Sequence, residues 1–254
     1  MIKEIFDHRT IRKYLDKPVP KNVIDEILEA AVRTSNTGNM QVYSIIVTTN
    51  DEIKEDLAPA HFNQPMIKEA PVVLTFCADF NRFNKWCHYR NAQPGYDNFL
   101  SFLTAAIDAV IAAQNACLAA ESNGLGICYL GTAIYNPDKI IEILDLPKGV
   151  VPITTVTIGY PGENPPLTER LPVEAVVHYE KYQDYNVTDI DRLYSEKEAN
   201  EENLKFISEN QKETLAQVFT DVRYTKSNNE YFSNVLFKVL KQQGFMDFDF
   251  TESI

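Results

Sequence analysis

Cysteine is sparse and never paired: Cys77, Cys87, Cys117 and Cys128 are the four in the chain, each in or near an apolar run and none in C-x-x-C spacing. They read as buried free thiols in a reducing cytoplasm. Histidine is as thin. His8, His61, His88 and His178 stand apart without metal-ligand spacing, so no metal is expected. Positive charge is in deficit, 24 Lys and Arg against 36 Asp and Glu for a net −12, which argues against nucleic acid and anionic membrane as partners. There is no Walker-type phosphate loop and no G-x-S-x-G nucleophile elbow. A dinucleotide fingerprint running through Gly124 and Gly126 fails at Tyr129. Kinase, hydrolase and zinc chemistry therefore lack their parts.

Signals for export are missing too. The start, MIKEIFDHRT, carries charge where a signal peptide needs its apolar region. The longest apolar stretch, 99–120, is interrupted by Asp108, Gln114 and Asn115 and is rich in alanine. It reads as a buried core helix rather than a membrane span. A cytoplasmic protein is expected.

What is there is an ordinary globular composition, 44% hydrophobic in 254 residues, enough for one large domain or a domain with an appendage. Residues 20–33 carry Val23, Ile24, Ile27, Leu28 and Ala31 on one helical stripe. Runs at 43–49, 72–78, 127–130 and 151–159 read as strands, and the unbroken apolar character of VVLTFCA predicts a central position for the second. Residues 80–97 read as an irregular aromatic loop; Trp86, Tyr89 and Tyr96 within it and Phe99 just beyond form either a substrate lid or simple packing. A long helix spans 99–122, closed by Asn123-Gly124. Another opens at Asn136-Pro137-Asp138. Residues 183–254 hold net −6, half of the total, and look like a helical appendage to a domain of residues 1–182.

The informative segment is His8-Arg9-Thr10-Ile11-Arg12-Lys13-Tyr14. Four potential cations and a hydroxyl within six residues suit an anionic ligand with a phosphate and a second electron-rich edge. In an extended run, positions 8, 10 and 12 would face one way. A solvated basic turn would have the same composition.

HRTIRKY resembles the opening signature of the nitroreductase family. The resemblance continues in order through Asn36-Thr37-Gly38-Asn39-Met40-Gln41, Cys77-Ala78-Asp79-Phe80-Asn81-Arg82, Gly124-Leu125-Gly126, Tyr129-Leu130-Gly131, Gly159-Tyr160-Pro161, Arg170-Leu171-Pro172 and Leu240 to Phe245. The middle motifs are similar to the subgroup of NADPH-linked nitroreductases and flavin reductases. The resemblance implies an α+β fold, with a mostly antiparallel sheet packed against the long central helix and a C-terminal helical arm packing on a homodimer. It implies FMN as cofactor, NADPH or NADH as donor and a small electron-poor acceptor, with the flavin N5 carrying the chemistry and no catalytic side chain. A flavin reductase supplying a partner enzyme and a non-catalytic flavin-binding module are the alternatives.

Site residues follow from the same resemblance. Arg9 would be among the residues that hold the cofactor; His8 and Thr10 would lie at its phosphate and ribityl end, with Arg170 as a phosphate clamp. Arg12 would stand near the edge where negative charge accumulates on reduction. Gln64 would address the pyrimidine edge, and Asn36, Thr37 and Asn39 would reach the cofactor from the partner subunit. Tyr129, Leu130, Gly131 and Thr132 would form the turn whose backbone meets N5. This chain departs from the pattern in three places. Gly131-Thr132 stands for Gly-Gly followed by an arginine, Thr168 for a lysine, and Asn210-Gln211-Lys212-Glu213 for an arginine-rich stretch. Lys212, Arg223 and Lys226 are left as candidates for the nicotinamide's 2′-phosphate, so discrimination for NADPH is expected to weaken.

Overall fold

The computed structural model describes residues 2–247; positions 248–254 of the expected arm lie outside them. Strands β1 (Tyr43–Thr48), β2 (Val72–Asp79), β3 (Gly126–Leu130) and β4 (Val150–Gly159) form one antiparallel sheet in the order β1-β2-β4-β3. The expected α+β architecture is what the chain builds. Strand β2 is central, pairing Val73 with Thr48 on one side and Leu74 with Val156 on the other. All of its residues are buried, because each face meets its own apolar layer. Leu74, Phe76 and Ala78 join the layer of the long helix, while Val73 joins Leu57, Ile67 and Leu130 on the other face. Burial on both faces is why the strand shows no polar alternation.

The long helix spans Phe99–Ser122, with the Asn98 side chain accepting from Ser101 N and Gly124 just beyond the end at a φ of +73°. Ala105, Ala109, Ala112, Ala113, Ala116 and Ala120 are fully buried. Side chains this small let the helix approach both the sheet and helix Lys21–Val32 closely. By length and composition this is the one described helix that could cross a membrane. In the fold its alanine face lies in the core instead.

Residues 80–97 differ from the expected loop. Asn81–His88 is a helix, with Phe83 half-buried and Cys87 buried on its inner side. Tyr96 stacks on Phe80 at 4.8 Å and meets Phe83 edge-on at 5.4 Å, so this part of the aromatic cluster is packing. Two turns of helix with five polar residues of eight carry too little periodicity to be read from sequence. Helix Asp51–Leu57, capped by Asn50, was likewise not expected.

The contacts divide the chain into two compact units: one up to Pro166 together with the residues from Phe232 onward, the other Leu167–Tyr231. These boundaries differ from the expected division at 182/183. Val239, Leu240 and Phe245 are buried in the main core, in keeping with the place of the segment from Phe232 in the larger unit. The smaller unit holds helices Val187–Ala199, Glu201–Glu209 and Leu215–Val218, the first opened by a capping box between Asn186 and Asp189.

Candidate active site

The cationic run becomes a strap along the free edge of β3. Thr10 bridges Ile127 in parallel, and Ile11 N donates to Ile127 O at 2.8 Å. Gly126 makes this contact possible: a Cβ there would lie 2.6–2.9 Å from three atoms of the Ile11 side chain. The strap is closed by Tyr14, whose phenol oxygen lies 2.9 Å from Ile11 O and 2.8 Å from Thr157 Oγ1. Burial pushes that phenol's pKa far up, so it stays neutral. Glu163 accepts from the backbone N–H of Arg12 at 2.7 Å and of Lys13 at 3.1 Å. The Arg12 backbone is thereby clamped while its side chain is exposed and forms no ion pair among the described residues.

Beyond the Thr10–Ile127 bridge the strap runs beside residues 160–163, and the Arg12 charge acts on the Cys128 thiol of β3, opposing the rise that burial gives it. After Leu130, β3 turns into a short 3-10 helix, Gly131–Ile134. Thr154 Oγ1 donates to Leu130 O at 3.0 Å, and the Thr132 hydroxyl lies 2.8 Å from His61 Nδ1. Gly131 is exposed, its φ is not positive, and an added Cβ would meet nothing within 4 Å. Neither backbone geometry nor packing within the chain requires glycine there, in contrast to Gly126. Gln64 follows the left-handed pair Phe62 and Asn63 (φ 56° and 55°), and its N–H donates to His61 O at 3.2 Å.

Other expected residues fall elsewhere. His8 Nδ1 sits 2.6 Å from Glu121 Oε1, near the end of the long helix, and Nε2 is the ring nitrogen this contact does not use. Arg9 faces away with Ile11 into a cleft of about 270 Å³ that also holds Glu121 and Glu163; its Nη1 donates to Asp7 O at 3.0 Å. The turn Thr37–Asn39 is anchored on the middle of the long helix, where buried Asp108 accepts from Thr37 N at 3.0 Å and Thr37 Oγ1 at 3.2 Å. Asn36 Oδ1 accepts from Gln41 N, and Asn39 Oδ1 from Gln41 Nε2. Arg170 lies in the smaller unit, donating to the carbonyls of Thr168 and Glu169. A cleft of about 1010 Å³ beside Leu15, Lys17, Ile24 and Val47 contains none of the expected residues.

His61, Asp108, Glu121 and Glu163 were not singled out by sequence, because their partners are remote along the chain. A polar residue interrupting an alanine-rich helix was the one available hint, at Asp108. Titratable nucleophiles are scarce. Burial raises the thiols of Cys77, Cys117 (to about 12) and Cys128, and lowers His61 to about 4. Among the described residues no group of His, Cys, Asp and Glu forms a metal cluster.

Comparison with known proteins now adds to this geometry. The model of the Nitroreductase family matches residues 5–160. An FMN reductase [NAD(P)H] of Bacillus subtilis (strain 168) is 40% identical over 184 residues, 72% of this chain and 74% of that protein. An oxygen-insensitive NADPH nitroreductase of Salmonella typhimurium (strain LT2) is 39% identical over 182 residues, 72% of this chain and 74% of that one. A Bacteroides fragilis NCTC 9343 protein of known crystal structure superposes with a TM-score of 0.95 at 58% identity, covering 96% of this chain and all of that one. The chain belongs to the nitroreductase family.

Proposed function

We propose that this protein is an FMN-dependent oxidoreductase that takes hydride from NADPH or NADH and passes it to small electron-poor acceptors, such as nitroaromatics and quinones, in two alternating half-reactions. The observation that carries this reading is Gly131, an exposed backbone just past β3 that needs no glycine for itself, together with an exposed Arg12 that forms no ion pair among the described residues and whose charge acts on β3 at Cys128. A ligand approaching that backbone closely accounts for the glycine, and an anionic or electron-accepting edge accounts for the guanidinium. Those residues fit FMN, a flat ring with an anionic tail. When bound, FMN supplies the two-electron carrier, accepting and donating hydride at N5.

The chain's own groups then bind and orient. Arg12 holds a fixed positive charge at the ring edge where electron density gathers on reduction. Gln64 addresses the pyrimidine edge, and Tyr129, Leu130, Gly131 and Thr132 form the wall against the ring. His8 through Nε2, Thr10 and Arg170 serve the ribityl phosphate. Arg9, facing the cleft on the other side of the strap, adds long-range positive charge and no direct contact. Hydride transfer between stacked rings needs proximity more than acid–base groups, and burial keeps the His61 imidazole and the Cys117 thiol neutral at pH 7.

A homodimer completes the site, and the protein works in the cytoplasm. Thr37 and His8 attach to the same helix at Asp108 and Glu121, about 20 Å apart at 1.5 Å per residue. One flavin is better served by the turn 36–39 of one subunit and the strap of the other. The same helix exposes Leu100, Leu103, Ile107, Val110 and Ile111 in a stripe opposite its buried alanines. Such a stripe is suited to a second copy. The test is anaerobic: purified yellow protein should bleach on adding NADPH or NADH and recolour on adding a quinone. Yellow protein that neither nicotinamide bleaches refutes the catalytic reading.

A further inference from the structure

His61 is fully buried, and no step proposed above uses it. Burial holds its imidazole neutral, with a pKa lowered to about 4. An apolar side chain would fill the same space without the cost of burying two ring nitrogens, so the polar atoms need a reason. The structure supplies one. Nδ1 lies 2.8 Å from Thr132 Oγ1, and Nε2 lies 3.4 Å from Thr155 Oγ1 on β4. The His61 carbonyl accepts from Gln64 N at 3.2 Å. One residue therefore touches both segments assigned to the flavin ring, which are 68 positions apart between Gln64 and Thr132.

Two further ties join the same segments. Asn136 Nδ2 donates to Ala60 O at 2.9 Å, and the Phe62 ring meets Tyr135 edge-on at 6.0 Å. Between them the chain takes two consecutive left-handed residues, Phe62 and Asn63, held by Asn63 N donating to Ala58 O at 2.8 Å. Left-handed backbone at a residue as bulky as phenylalanine persists only where its surroundings over-determine it. The segment before Gln64 is thus a built support.

We propose that His61 is a positioning residue that locks the Gly131–Ile134 turn and Gln64 into one body, setting the distance and tilt at which they meet the flavin. The proposal rests on the functional reading above. A neutral ring is suited to the role: it accepts at one nitrogen and donates at the other, joining two threonine hydroxyls without placing a charge under the redox centre. Errors of orientation at a hydride-transfer site cost far more in rate than in binding.

Three variants separate positioning from packing. His61→Leu keeps the volume and removes both polar contacts. His61→Asn places an amide group where Nδ1 stands and retains the Thr132 contact. His61→Gln extends its amide toward the place of Nε2 and Thr155. Each apoprotein is tested for thermal midpoint and for FMN affinity by quenching of flavin fluorescence, and each holoprotein for anaerobic bleaching by NADPH. His61→Leu is expected to bind FMN about 3- to 10-fold more weakly, the worth of one hydrogen bond, and to bleach roughly tenfold more slowly or worse. His61→Asn should restore both values to within about threefold, and His61→Gln should not. Affinity and rate within twofold of wild type in His61→Leu overturn the proposal, as do losses that follow the thermal midpoint alone across the three variants. Wild-type holoprotein that NADPH and NADH fail to bleach overturns the functional reading separately, and the FMN affinity series still decides the role of His61.

Discussion

Replacing Gly131 with alanine separates a glycine kept for a ligand from one kept for the fold. An alanine Cβ at 131 meets no atom within 4 Å, and the residue's φ is one alanine adopts without strain. In the apoprotein the change should therefore stabilise slightly, by about 0.4–1 kcal/mol, because the unfolded chain loses freedom. That corresponds to a rise of about 1–4 °C in Tm for a chain of this size. The new methyl group projects into the space assigned to the flavin. Withdrawal of the ring from the Gly131 backbone N–H forfeits about 0.5–1.5 kcal/mol, roughly 2- to 13-fold in FMN affinity. Gly126→Ala is the opposite case. Its Cβ would sit 2.6–2.9 Å from Ile11, and such overpacking costs about 1–3 kcal/mol in the fold itself. Scanning fluorimetry of apoprotein with FMN titration gives both quantities for both variants. Gly131→Ala protein that binds FMN as tightly as wild type, or melts lower without it, would refute the reasoning.

Other substitutions divide the cofactor's two ends. Arg12→Ala should keep FMN and slow its reduction, since the charge matters most after electrons arrive, whereas Arg170→Ala should weaken FMN binding in both redox states; equal FMN loss in the two, with normal reduction after resaturation, contradicts this. Discrimination between nicotinamides should be modest. Lys212 is paired with Asp221 at 2.9 Å, Arg223 lies 4.5 Å over the Phe206 ring, and Lys226 faces Glu230 at 3.7 Å. Loss of a charge-assisted phosphate contact is worth about 1.5–3 kcal/mol, so kcat/KM for NADPH over NADH is expected to stay far below a thousandfold with one quinone as acceptor. Acid should destabilise through His61. Its folded pKa of about 4 lies below the free value of 6.5, so only the unfolded chain takes the proton between them. Stability is then complete above 6.5 and falls as pH drops toward 4, by on the order of 3 kcal/mol in all. His61→Asn should show a flatter profile over pH 5–6.5 in urea titrations, and parallel profiles would dismiss the histidine as the source.

The sequence by itself determined the elements whose physics is local. Four strands and the long helix were legible because their apolar runs and caps are contiguous, as with VVLTFCA and the Asn123-Gly124 end. The order of weak motifs determined the family, since HRTIRKY, YLG and GYP need no three-dimensional context to be compared. Helix Asn81–His88 escaped because eight residues carry little period. The site divided in the same way. Arg12 and Gly131 could be named from the chain, but only the tertiary structure decided that Thr10 bridges the β3 edge at Ile127, that Arg9 lines a cleft with Ile11, and that Gly126 and Gly131 are glycine for different reasons. Glu163, Asp108 and His61 act on positions 151, 71 and 71 residues distant. Contacts of that kind leave no spacing in a sequence, because the fold, rather than the chain, makes the partners neighbours.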